Sequence, residues 1–165
     1  MPTTDDLQPL HIAVRGGVTG WLDLRKTGTW TAQDDTDVFT RVTLATGGDE
    51  VVCVFGHVEA LDPKPVEYTR GAWSGQFVAY TASRVIVVNK GTVDSTATIT
   101  AHGRKTLDSF SLTKAVPGRH GEGKLRFDAL YSWGSVSYDA ETSVDQTAAQ
   151  EVEDFLPSLL DDLSL

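Results

Sequence analysis

The hydrophobic pattern along this chain changes period twice. From Asp49 to Tyr138 it has the character of strands. Glu50-Val51-Val52-Cys53-Val54-Phe55-Gly56 is a compact apolar run of strand length. Gly75 to Thr81 and Arg84 to Asn89 read as two strands joined by the small polar pair Ala82-Ser83, a hairpin. Thr96 to Thr100, Leu107 to Leu112, Gly123 to Leu130 and Trp133 to Tyr138 supply four more strands, separated by glycine-rich or basic turns. Between the first run and the hairpin, Pro63 and Pro65 exclude Ala60 to Tyr68 from a central strand, because proline cannot donate to the ladder.

The last segment is helical. Ala148, Val152, Phe155, Leu156, Leu159, Leu160 and Leu163 fall at i, i+4, i+7, i+8, i+11, i+12 and i+15, with Glu151, Glu153, Asp154, Asp161 and Asp162 mainly on the other face. Ser143 and Gln146 have the spacing of a capping box, which starts the helix near Val144. Pro157 predicts a break or kink near Leu156, and it can open a second short helix. At the other end of the chain the pattern is weaker. Residues 8–33, punctuated by Gly16-Gly17 and Gly20, fit short strands and turns. Residues 34–46 carry acidic and threonine residues in front and glycines behind, which favours a helix over a strand.

Composition bounds what such a chain can be. Its 165 residues make one domain's worth of protein, and the single cysteine, Cys53, excludes an internal disulfide framework and a cysteine zinc cluster. No apolar run approaches the ~18 residues of a membrane span, and the start MPTTDDLQPL lacks the features of a signal peptide, so the expected location is the cytoplasm. The formal charge of −9 argues against nucleic-acid binding. It is unevenly distributed: residues 1–83 hold 6 basic and 11 acidic groups, residues 84–126 hold 8 and 3, and residues 127–165 hold none and 9. A basic middle lies between two acidic segments.

A run of antiparallel strands followed by one amphipathic helix is the element order of the pleckstrin-homology (PH) superfold. Tyr80-Thr81-Ala82-Ser83-Arg84-Val85-Ile86-Val87-Val88 resembles the Leu-Thr-Asp-Arg-Arg-Leu-Ile hairpin of bacterial PH-like domains, keeping Thr81 and Arg84 and departing at Ala82 and Ser83. Gly47-Gly48-Asp49-Glu50-Val51 resembles the Gly-Glu-Glu-Val strand that opens such domains. The resemblance spans roughly residues 36–156. It divides the chain into an extension, 1–35, and a PH-like unit, 36–165. It implies a mainly β fold, a partly open antiparallel barrel or two-sheet sandwich plugged by the C-terminal helix. Val52, Val54, Phe77, Ala79, Val85, Val87, Phe110 and Leu112 would fill its interior.

Sites of chemistry are few. His11, His57, His102 and His120 are scattered without metal-ligand spacing, so no metal or cofactor is expected; His57 is the histidine expected to be buried. Cys53 reads as a small buried hydrophobe rather than a reactive thiol. Trp21, Trp30, Trp73 and Trp133 read as packing residues, with exposure on a loop as the alternative for Trp73, between Gly71-Ala72 and Ser74-Gly75. Gly118 to Gly123 reads as a hairpin turn. No nucleophile elbow, phosphate loop or dinucleotide fingerprint is present, and no catalytic residues are assigned. Arg104, Lys105, Lys114, Arg119 and Lys124 form the one candidate binding set, an anion patch on adjacent hairpin loops. The competing expectation, which outweighs it, is that this basic face pairs with the acidic helix or an acidic partner, or simply solvates the turns. The functional expectation is a non-catalytic module that binds a protein or self-associates. The alternative is recognition of an anionic ligand or lipid headgroup at a membrane surface, and a small-molecule enzyme ranks behind both.

Overall fold

Phe77 to Tyr80 and Val85 to Val88 are apolar at every position, so no single face of their hairpin can hold all of these side chains. The computed structural model, which describes residues 3–63, 67, 70–116, 124–139 and 146–163, buries both faces. Strands β3 (Trp73–Tyr80) and β4 (Arg84–Lys90) pair antiparallel with Ala79 opposite Ile86 and Tyr80 opposite Val85. They are the third and fourth strands of a five-stranded sheet ordered β1 (Val18–Thr19), β2 (Cys53–Ala60), β3, β4 and β5 (Thr98–Gly103). Only the short β1 runs parallel to its neighbour. A second antiparallel sheet holds β6 (Leu107–Val116), β7 (Lys124–Tyr131) and β8 (Gly134–Asp139).

One face of the larger sheet, through Val54, Val58, Phe77, Ala79, Ile86 and Val88, meets the N-terminal helices. These are α1 (Thr4–Gly17), α2 (Trp21–Thr27) and a helix in three parts: α3 (Ala32–Asp34), a π-helical stretch Asp35–Phe39, and α4 (Thr40–Ala45). The other face, through Phe55, Val78, Tyr80, Val85 and Val87, meets the small sheet and the C-terminal helix α5 (Gln146–Leu160). The molecule is thus three layers deep. No described helix is long and apolar enough to cross a membrane.

Among the described residues the fold is mixed α/β, 35% helix and 39% strand, with no barrel, and this overturns the mainly β, PH-like expectation. The strands divide into two separate sheets at the 3-10 turn Arg104–Thr106. Most of the residues read as short strands and turns are the helices α1 and α2, with the two-residue strand β1 and the turn at Gly20 between them. The spacing Leu7, Leu10, Val14 is that of one helical face, and Thr3 and Asp6 close a capping box at its start. The glycines that suggested turns serve close packing instead. A Cβ on Gly17 would lie 2.0 Å from the Val54 carbonyl oxygen. One on Gly20, whose φ is +89°, would lie 2.1 Å from that of Val58. The helix foreseen at 34–46 is present in its three-part form.

The list of interior residues is corrected in the same way. Val52 and Leu112 are 52% and 49% exposed, and Val54 and Val85 point into different cores. Trp73 is buried in β3 rather than exposed on a loop. Helix α5 passes through Pro157 without ending. The proline sits on the exposed face, and burial of Val152 and Leu159 on the opposite side holds the turn where its N–H is missing. The Ser143–Gln146 capping box lies outside the described residues.

The helical layer is pinned by two neighbouring carboxylates. Asp34, 3% exposed, accepts from the backbone N–H of Thr31 at 2.9 Å and of Gly71 at 2.8 Å, from the Thr31 hydroxyl at 3.0 Å and from the Trp73 indole at 3.3 Å. Asp35 accepts from the Trp30 indole at 2.6 Å and from Arg25. Asp34→Ala would leave the Gly71 and Trp73 donors buried and unpaired. Its expected cost is about 3 kcal/mol, against about 1 kcal/mol for Asp37→Ala, whose half-buried i,i+4 partner Arg41 keeps its bonds to the Asp37 and Ala97 carbonyls. Urea denaturation of the two variants measures the difference.

Candidate functional site

Among the described residues, Arg104, Lys105 and Lys114 of the basic set expected to bind an anion do not lie together. Arg104 is 6% exposed and fully engaged: it donates to Asp162 at 2.8 Å, to the Thr81 carbonyl at 3.0 Å, and to the Ser158 hydroxyl and carbonyl at 2.9 and 3.0 Å. Its guanidinium lies over the rings of Tyr80 and Phe155. It therefore clamps the end of α5 to the β3–β4 turn, so one basic residue of the middle segment meets the acidic helix of its own chain. Lys105 is exposed on the 3-10 turn, and Lys114 is half-buried on β6, nine residues along. That strand separates them by on the order of 25 Å. Lys114 is opposite Arg126, and Val116 is opposite Lys124, whose backbone opens β7. Arg119 and the Gly118 to Gly123 turn lie outside the described residues.

Beneath α5, a polar group of side chains sits inside the second core. The Tyr80 and Tyr131 hydroxyls hydrogen-bond each other at 2.7 Å. The buried Tyr138 hydroxyl has no hydrogen-bond partner among the described residues. Burial pushes the Cys53 thiol up to about 12, with the Glu151 charge adding to the shift. It likewise raises Tyr131 and Tyr138 to about 12, and Tyr80 well above its ordinary value. A thiol held protonated in this way is a packing group.

Several concavities among the described residues face solvent, and two of them bring separate layers together. The first, about 640 Å³, is a groove between α1 and α5 over the chain entering β2. The α1 wall presents Pro9, Ile12, Ala13 and Gly16, and the α5 wall Glu151, Asp154 and Phe155. Val51 to Val54 form the floor. Ile12 is 61% exposed here, a large aliphatic side chain beside the half-exposed Val52. The second, about 440 Å³, has His57 and Gln76 on one side and Arg126, Asp128, Ser137 and Asp139 on the other. His57 is exposed rather than buried and faces Glu59 at 3.9 Å. The Ser137 hydroxyl donates to Asp128. Among the described residues these do not assemble a serine–histidine relay, and no group of three or more metal-ligating side chains converges.

The groove left no trace in the sequence reading, because its three parts lie far apart along the chain. The one available signal was Ile12, an apolar residue outside the Leu7, Leu10, Val14 face of α1.

Two measurements probe the core beneath α5. Asp162→Ala would strand the Arg104 guanidinium and is expected to cost about 3 kcal/mol. The double change Arg104→Met with Asp162→Leu should recover most of that in chemical denaturation, since an apolar pair needs no desolvation. The thiol and the three phenols hold their protons longer in the folded protein than in the unfolded chain. The stability they supply is complete below the ordinary values of 9.0 and 10.0 and is lost as pH rises towards about 12. Melting temperature should therefore fall from pH 9 upward. Tyr138→Phe, which also removes an unpaired buried hydroxyl, should melt higher at neutral pH and decline less steeply.

Comparison with protein-family models, with curated proteins and with solved structures finds no match to this chain.

Proposed function

We propose that this protein is a non-catalytic binding module and that the groove between α1 and α5 is the surface on which it receives another protein. The observation that carries this reading is the pair Ile12 and Val52. They are well exposed and adjoin one concavity, where burial under a partner would remove apolar surface from water at ~25 cal/mol per Å². Scattered single aliphatic residues on a surface are ordinary, whereas apolar residues gathered in a groove between two helices suit a docking segment.

The occupant is a different protein rather than a second copy. A symmetric dimer through this groove would set the α5 wall, with Glu151 and Asp154, either against its twin or against the α1 wall of Pro9, Ile12, Ala13 and Gly16. The first arrangement opposes carboxylates to carboxylates, and the second leaves them without a cation.

The reading is tested by placing a photoreactive benzoylphenylalanine at Ile12 in the full chain, expressed in its own cells, alongside sedimentation of the purified protein. The expected result is a monomer in solution and a discrete adduct with another protein. That adduct should be lost on Val52→Asp and should not form from the probe at Val93, an 87% exposed site outside the groove. A self-adduct of dimer mass, an adduct that survives Val52→Asp, or no adduct from Ile12 would overturn it.

A further inference from the structure

The walls of the groove specify more than an apolar partner. We infer that the segment it accepts is a basic amphipathic helix of about two turns, an inference that rests on the groove being a docking surface. Three features of the structure point to it.

The first is charge, which lies on one wall alone. Glu151 and Asp154 are three residues apart on α5, so their carboxylates project from the same side one turn apart. Both are exposed, and neither has a cationic partner in the chain among the described residues; Asp154 accepts only from Gln150, at 2.9 Å. The α1 wall and the floor are uncharged, with Pro9, Ile12, Gly16 and Val52. A complementary ligand has an apolar stripe for Ile12 and Val52 and Lys or Arg along one flank only.

The second is length. Pro9 to Gly16 is eight residues of α1, seven steps and about 10 Å of helix axis, which matches two turns of a helix lying alongside. A stripe at i, i+3 or i+4, and i+7 of such a helix covers that distance.

The third is that the floor cannot easily take a strand instead. An added strand would need the open edge of β2, and β1 already pairs with that edge at Gly56 and His57. Just before them, Gly17 approaches the Val54 carbonyl so closely that a Cβ there would lie 2.0 Å from the oxygen. The edge is closed where a ladder would have to continue, so helix-in-groove recognition is favoured over strand addition.

Fluorescence anisotropy on the full chain tests this with a labelled peptide of about 14 residues, long enough for measurable helicity, carrying a leucine stripe and lysines on one flank. Two comparison peptides replace the lysines by glutamate or place a proline at the centre. The basic helical peptide should bind, and the other two should bind at least about tenfold more weakly. Glu151→Lys with Asp154→Lys should weaken binding about tenfold, Ile12→Asp should abolish it, and Asp108→Lys on β6, outside the groove, should leave it unchanged. Equal loss with Asp108→Lys would show attraction to a generally acidic protein and overturn the inference. So would equal binding of the proline peptide, or no binding at all. If the Ile12 photoadduct forms while the basic helix fails, this inference falls and the docking surface stands. If the photoadduct also fails, both fall.

Discussion

Burial of the β3–β4 hairpin on both faces is the constraint on which the rest of this structure depends. Eight apolar residues, Phe77 to Tyr80 and Val85 to Val88, alternate between two cores, so each face of the sheet needs its own cover. The helices supply one, and the small sheet with α5 supplies the other. A sheet open to water on one side would leave Val78, Tyr80, Val85 and Val87, or Phe77, Ala79, Ile86 and Val88, exposed, at ~1.5–3 kcal/mol for each large side chain. The three layers follow from this.

Covering a sheet twice brings polar groups into the interior, and the structure satisfies most of them by name. Asp34 gathers four donors from three residues, and Arg104 joins the β3–β4 turn to the end of α5 through Thr81, Ser158 and Asp162. Both act between elements distant in sequence, so they fix how the layers sit against each other rather than how any element forms. The docking groove is a by-product of the same arrangement. Helices α1 and α5 cover opposite faces of the sheet and meet beyond the edge of β2. The space between them keeps an uncharged wall from one layer and an acidic wall from the other.

Several elements were legible in the sequence because their cause is local. The strands around residues 53–60 and 124–139, the hairpin turned at Ala82-Ser83, and the amphipathic face of α5 each follow from a period of two or of 3.6. The N-terminal helices were not, because Gly16, Gly17 and Gly20 carry the signature of turns, while Gly17 and Gly20 answer to the Val54 and Val58 carbonyls almost forty residues away. Arg104, Lys105 and Lys114 were not brought together for a related reason. Closeness in sequence placed Arg104 and Lys105 with Lys114, whereas β6 draws them apart and Asp162, 58 residues on, takes Arg104 inward.

The sequence by itself determined where the strands from Cys53 onward and the last helix form, that the charge divides into a basic middle between acidic segments, and that Cys53 is a packing residue. These are properties of neighbouring residues, and periodicity or composition expresses them directly. Only the tertiary structure decided that the fold is mixed α/β, that the strands form two separate sheets, and that Ile12, Val52 and Glu151 share one groove. Those outcomes depend on which surfaces meet, and burial of both faces of a sheet is settled by partners that no local pattern identifies.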